Sequence, residues 1–149
     1  MPYPFLYKEN HKAQACALFC MDFRFKNAIL EYLRREQDLV DVDIVVLAGA
    51  SKNIVEPKIP ADREVVLQQL ELSCKLHHIG KIVIIDHADC GAYGGTKAFG
   101  NNLTKEKEAH KKNLRRAKEI LNKKFPNQKI ILIYANLKNQ SEIVFEEVK

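Results

Sequence analysis

Three side chains with chemical uses stand at alternate positions near the start of the chain: Cys20, Asp22 and Arg24, in the stretch ALFCMDFRF. Further on, HADCG sets His87 and Cys90 at H-x-x-C spacing, with Gly91 directly after. Thiolate and imidazole are the ligands zinc prefers, and two cysteines with one histidine form a catalytic ligand set that leaves the fourth position to water. A tight loop lets His87 and Cys90 share one ion, and Cys20 then has to arrive from a neighbouring element. The plainer reading is that cysteine often fills a core as a small hydrophobe. Cys16 and Cys74 fit that reading, because both sit inside apolar runs. Cys20 and Cys90 do not: each lies where an apolar run gives way to polar residues, close to an aspartate.

Elements that could position these groups are readable from hydrophobic periodicity. The apolar run from Ala13 to Cys20 predicts a buried strand, and Asn27 to Gln37 a helix through Ala28, Ile29, Tyr32 and Leu33. Val42 to Ala50, β-branched and ending in glycine, predicts a second strand. Asp62 to Gly80 predicts a helix with Asp62 as N-cap, Gly80 at its end, and Val66, Leu67, Leu70, Cys74 and Leu76 on one face. Lys81 to Asp86 is a third strand. Thr104 to Phe125 is a helix with Thr104 as cap, an apolar face of Ala109, Leu114, Ala117, Ile120, Leu121 and Phe125, and Pro126 as its stop. Lys129 to Leu137 is a fourth strand, and the tail SEIVFEEVK reads as a helix or an edge strand.

This alternation predicts an α/β three-layer sandwich, its central sheet mostly parallel with about four to five strands. The near-continuous apolar strands suit a sheet covered on both faces. Residues 1–149 are expected to form one domain. In such sheets ligands bind beyond the carboxyl ends of the strands, where strand order switches. The strand closures are therefore the places for chemistry: Cys20 to Arg24, Ala48-Gly49-Ala50-Ser51, and Asp86 to Gly91.

C-x-D-x-R followed by H-x-x-C-G resembles the β-class carbonic anhydrases, and LAGA (Leu47 to Ala50) resembles a degenerate form of that family's R-N-A-G-N segment, with Ala48 and Gly49 kept. The resemblance implies the β-carbonic-anhydrase fold and zinc held by Cys20, His87 and Cys90. It implies a catalytic dyad in which Asp22 accepts a hydrogen bond from zinc-bound hydroxide and Arg24 keeps Asp22 ionised and oriented. It also implies that backbone N–H groups near Gly91 contact a substrate oxygen. The activity implied is reversible hydration of CO2 to bicarbonate, by a homodimer or higher homo-oligomer. In some members the aspartate instead closes the site as a fourth zinc ligand.

The chain also departs from that pattern. Leu47 and Ala50 replace polar residues of the middle segment, Phe23 stands where the family carries a small hydroxyl residue, and little precedes the first strand. Two alternatives follow: a zinc hydrolase acting on CS2 or COS, and a catalytically impaired zinc-binding or regulatory protein of the same fold. For Asp22 and Arg24 the plain alternative is a surface ion pair worth under about 1 kcal/mol.

Composition bounds the remaining functions. The net charge is +5, from 24 basic and 19 acidic residues that are intermixed. That describes a solvated surface, and the Lys/Arg-rich stretch from Lys105 to Lys124 reads as a solvated helix face without a nucleic-acid motif. No apolar run is long enough to span a membrane. The start MPYPFLYKENHK lacks the pattern of a signal peptide, so a cytoplasmic protein with reduced thiols is expected. The segment PYPFLY or an edge strand is where a dimer would form. CGAYGGTKAFGNN matches no phosphate-loop pattern and reads as a mobile loop over the site, with Tyr93 and Phe99 as walls. His11, His77, His78 and His110 are available to carry protons, although His77 and His78 at a helix end suit the dipole better. Asp86 and Asp89 flank the metal loop, where either would orient His87 or be solvated.

Overall fold

A computed structural model describes residue 1 and residues 3–149; Pro2, in the PYPFLY segment, lies outside the described residues. The elements run β1 (Ala15–Phe19), α1 (Phe23–Arg35), β2 (Val42–Val46), α2 (Lys52–Val55), α3 (Pro60–His77), β3 (Lys81–His87), α4 (Leu103–Lys124), β4 (Lys129–Lys138) and β5 (Glu142–Glu147). Two short 3₁₀ turns, Gly91–Tyr93 and Thr96–Phe99, lie between β3 and α4.

The sheet has five strands in the order β2-β1-β3-β4-β5. All neighbours are parallel except β4 and β5, so the tail is an antiparallel edge strand. β1 and β3 lie inside the sheet, which explains their apolar runs ACALF and IVII. β2 is an edge and alternates in exposure.

Helices cover both faces. On one, Phe25, Ile29 and Leu33 of α1 pack with Ala17, Phe19, Val83, Ile85 and Ile133. On the other, Ile54 of α2, Val66 and Leu70 of α3, and Leu114, Ala117 and Leu121 of α4 pack with Leu18, Ile82, Ile84 and Leu132. Each buried Phe, Leu, Ile or Val among them contributes about 1.5–3 kcal/mol by leaving water. Along α3 the buried residues are Val66, Leu70 and Ser73, whereas Leu76, expected on that face, is 57% exposed. From β1 the chain passes through α1 to β2 on one side, then crosses to β3 on the other. The switch in strand order therefore falls between β1 and β3.

Several helix ends differ from expectation. α1 starts at Phe23, ahead of the expected Asn27, because Asp22 is its N-cap. Ile59 precedes α3, Pro60 takes the first helical position, and Asp62 caps from the third: its carboxylate accepts the Ile59 N–H at 3.3 Å. The left-handed residue that ends α3 is His78 (φ 51°), not Gly80. Asn102, not Thr104, caps α4, its Oδ1 accepting the Lys105 N–H at 2.9 Å.

Candidate metal centre

β1 ends at Phe19 beside Ile85 of β3, so Cys20 leaves the sheet next to the strand that ends in His87. After His87 the chain turns sharply through Ala88 and Asp89, and Asp89 takes the left-handed conformation (φ 53°). The turn carries Cys90 back over the strand ends. It is held by the Ala88 N–H donating to Ala135 O (2.9 Å) and by the Tyr93 and Gly95 N–H groups donating to Cys90 O (3.0 and 2.9 Å).

The result is a buried cluster at the switch point. The ligating atoms of Cys20, His87 and Cys90 lie within 4.8 Å of one another, with the two sulfurs 3.9 Å apart. His87 Nδ1 donates to Ala88 O at 2.7 Å, which leaves Nε2 as the acceptor nitrogen. That Nε2 is buried and has no hydrogen-bond partner among the described residues. A buried imidazole nitrogen without a partner is costly, and beside two thiols it fits a metal ion that takes nitrogen and sulfur. The Cys20 thiol is held far below its usual range, chiefly by the Cys90 S–H donating to it, with the Gly49 N–H (3.5 Å from the sulfur) adding to the effect; Cys90 correspondingly keeps its proton. Phe25 of α1 stacks on the His87 ring, centroids 4.3 Å apart, and fixes its plane.

Asp22 and Arg24 sit at the start of α1, beside this cluster in the chain. Arg24 Nε donates to both Asp22 oxygens (2.9 and 3.0 Å) and its NH2 donates to Oδ2 (2.5 Å). The guanidinium holds the Asp22 carboxyl well below the usual carboxylate range. The geometry is bidentate rather than that of a loose surface pair. Arg24 also reaches Asp89, giving NH1 to its Oδ2 (2.9 Å) and NH2 to its carbonyl (3.1 Å). Phe23 points to solvent, 82% exposed. Gly91 is exposed, and nothing lies within 4 Å of where a Cβ would stand, so no close packing requires glycine there. A groove of about 570 Å³ has Leu47, Ala48, Lys52 and Ala92 among its walls, Ala92 lying two residues after Cys90 in the chain.

Neither flanking aspartate touches the His87 ring. Alternation along β3 turns Asp86 to the opposite face. There its carboxylate accepts from Ser51 N–H (3.1 Å), Ser51 Oγ (2.6 Å), Tyr93 OH (3.1 Å) and His110 Nδ1 (2.9 Å). Tyr93 thus has its hydroxyl tied to Asp86, and it also accepts from Asn113 at 3.0 Å, so the loop expected to be mobile is pinned there. His110 is fully buried and His77 pairs with Asp43 (2.7 Å) on the opposite, N-terminal side of the sheet, so neither stands at the metal cluster. Sequence reasoning passed over Glu106, Asn113 and Thr96, and reached Ser51 only as the last residue of a strand closure. The available signal was spacing: Glu106, His110 and Asn113 share a stripe of α4 with Leu114, Ala117 and Leu121, which marks them as buried polar residues.

A doubly wound sheet with a Cys-His-Cys cluster at its switch point defines the class. A family model described as "Putative carbonic anhydrase" matches residues 10–145, and the chain belongs to that family. An uncharacterized protein of Rickettsia bellii is 31% identical over 141 residues, 93% of this chain and 86% of the relative. Another, from Rickettsia conorii, is 32% identical over 142 residues, 93% of this chain and 76% of the relative. The crystal structure of β-carbonic anhydrase isoform I from Trichomonas vaginalis superposes with a TM-score of 0.64 at 15% identity, covering 97% of this chain and 88% of that one, a likeness of fold.

Proposed function

We propose that this protein is a zinc-dependent carbonic anhydrase that interconverts CO2 and bicarbonate. The observation that carries the reading is the unpartnered, buried Nε2 of His87 facing the Cys20–Cys90 pair, beside a bidentate Asp22–Arg24 pair. Cys20, His87 and Cys90 would hold the ion. When bound, zinc acts as a Lewis acid that lowers the pKa of a water from ~15.7 towards about 7.

The chain's own groups do the rest. Asp22, kept ionised by Arg24, accepts the O–H of the attacking water and aims its lone pair at the carbon of CO2. Because Arg24 occupies both Asp22 oxygens, the carboxylate is oriented before substrate arrives, so little reorganisation is left for the reaction. Gly91, exposed at the edge of the cluster, leaves room for a substrate oxygen beside the backbone.

Family membership over residues 10–145 supports treating the chain as one domain of this kind. The four cysteines are free thiols, and a reducing cytoplasm keeps Cys20 and Cys90 able to bind metal. A homodimer or higher homo-oligomer is the expected assembly: Tyr3, Phe5, Leu6 and Tyr7 are 84–95% exposed and gain burial only against another surface. Among the described residues no helix is long and apolar enough to cross a membrane.

Stopped-flow CO2 hydration by the zinc-loaded protein tests the reading. Rates well above the uncatalysed reaction, lost in Cys90→Ser, support it. Zinc bound without rate enhancement favours the regulatory alternative, and turnover of COS or CS2 in place of CO2 favours the hydrolase.

A further inference from the structure

Glu106 is a buried carboxylate with no cation beside it. It is fully inaccessible to solvent and forms no salt bridge among the described residues. An ionised group in that setting is expensive unless donors surround it. It sits in the first turn of α4, where the helix N-terminus favours negative charge. Its two oxygens are both used: Oε1 accepts the Asp89 N–H at 2.7 Å, and Oε2 accepts the Thr96 hydroxyl at 2.9 Å. Thr96 in turn gives its N–H to Asp89 Oδ1 at 3.1 Å. The three residues therefore close a ring that fixes both the backbone and the side chain of Asp89.

The conformation that the ring fixes is a less common one. Asp89 is left-handed (φ 53°), a region that aspartate tolerates better than most non-glycine residues and that the ring here selects. Gly95 lets the ring close, because a Cβ there would stand 2.9 Å from Asp89 Oδ1. In that conformation Asp89 turns two acceptors toward Arg24, its Oδ2 and its carbonyl. Arg24 has five N–H donors. Asp89 takes the outer ones, and the edge left over, Nε with one NH2 hydrogen, is the edge that Asp22 occupies. Arg24 is otherwise nearly half exposed and free to move.

We infer that Glu106 is a positioning residue for the Asp22–Arg24 dyad, acting through the Asp89–Thr96 ring that holds the far side of the Arg24 guanidinium. The inference rests on the function proposed above for the effect on rate, but its geometric content stands apart from it. A merely structural Glu106 would tie the loop to α4 and affect stability and zinc retention. A positioning Glu106 affects how firmly Arg24 is held.

The test uses zinc-loaded protein and three variants, Glu106→Gln, Thr96→Val and Asp89→Asn. Glu106→Gln keeps the volume but leaves one acceptor where two are needed. The first readout is exchange of the Arg24 Nε–H with water, followed in nitrogen-15 spectra. Wild type should show a protected signal, and Glu106→Gln should exchange about tenfold faster, the loss expected from roughly one charge-assisted hydrogen bond. The second readout is the kinetic split: kcat should fall about tenfold while KM stays within about twofold, with the zinc content full. Glu106→Gln combined with Asp89→Asn should be no worse than Asp89→Asn alone, since both act through one arginine. Thr96→Val breaks the same ring and stands in if Glu106→Gln does not fold. Unchanged Arg24 exchange overturns the inference, as does a fall in kcat that only tracks lost zinc. If wild type binds zinc but hydrates no CO2, the functional reading fails, and the arginine exchange still decides the role of Glu106.

Discussion

The Asp22 carboxylate accepts the backbone N–H of Arg24 at 3.0 Å as the N-cap of α1 and, at the same time, the Arg24 guanidinium. One side chain thus starts the helix that carries its own partner. The two duties can be separated. Asp22→Ala removes both and should cost about 1 kcal/mol of stability through the lost cap. Asp22→Asn keeps an oxygen for the cap and loses only the charge. Its thermal midpoint should stay near wild type while CO2 hydration falls by about 10²-fold or more, the usual scale for removing a positioned acid–base group. An asparagine variant with the full wild-type rate would remove Asp22 from the mechanism.

The cluster should bind metal strongly enough to stabilise the fold. Cys20, His87 and Cys90 join the end of β1 to the turn after β3, so an ion there cross-links both sides of the switch point. Zinc at 100 times its dissociation constant adds about 2.7 kcal/mol. Calorimetry should show the melting midpoint of wild type falling on chelation and recovering with added zinc. Cys90→Ser should melt near the chelated value and respond weakly to zinc. A wild-type midpoint indifferent to zinc would contradict the assignment.

How far the sequence revealed this arrangement depended on how local each signal was. Central runs such as ACALF and IVII are apolar throughout because both faces are covered, and that pattern needs no tertiary knowledge. Cys20, His87 and Cys90 were legible because strand ends and a four-residue spacing place them. Asp22 as a cap was hidden because Cys20 to Arg24 was read as the closure of a strand and the helix was started at Asn27, although aspartate before FRFKNAIL is an ordinary helix start. The roles of Glu106 and Asp86 depend on contacts between α4 and the turn after β3, far apart in sequence. Only the burial of the Glu106–His110–Asn113 stripe along α4 was readable beforehand. Asp89, expected as a flanking group of His87, instead serves Arg24, because the left-handed turn rotates it away from the imidazole.

Gly49 tests how closely the second strand closure is fitted to the site. Its φ is +86°, and a Cβ there would stand 2.9 Å from Ala92 Cβ, two residues after Cys90. Its N–H also points at Cys20 Sγ. Gly49→Ala therefore combines a strained backbone, worth about 1–3 kcal/mol, with pressure on the metal loop. Both the urea midpoint and zinc affinity should fall. Gly91→Ala, where the space is open and φ is not left-handed, should leave both nearly unchanged.

The buried network around Asp86 should be sensitive to single deletions. Tyr93→Phe removes a donor from Asp86 and the acceptor of Asn113, while keeping the ring that packs on His110 at 3.9 Å. Leaving buried polar groups without partners costs about 1–3 kcal/mol. Chemical denaturation should show a loss on that scale. A fully stable Tyr93→Phe would mean that Ser51 and His110 alone satisfy Asp86.

Glu146 gives the fold a predictable response to acid. It lies on edge strand β5 and accepts from two lysines one turn apart on α4, Lys107 at 2.6 Å and Lys111 at 2.5 Å. Burial opposes its charge, but the two lysines outweigh burial and hold the carboxyl below its ordinary value. A depressed folded-state pKa adds stability above the unfolded value, and that stability is lost as pH falls through the folded one. Because the carboxylate is about one-third exposed, the contribution is screened and should stay below about 1 kcal/mol. Urea unfolding of wild type and Glu146→Gln should differ by that amount at neutral pH. The difference should begin to shrink near the ordinary glutamate value of about 4.3 and vanish below the folded one. It should also shrink in high salt at neutral pH. A difference that grew on acidification would mean that the lysines do not control this carboxyl.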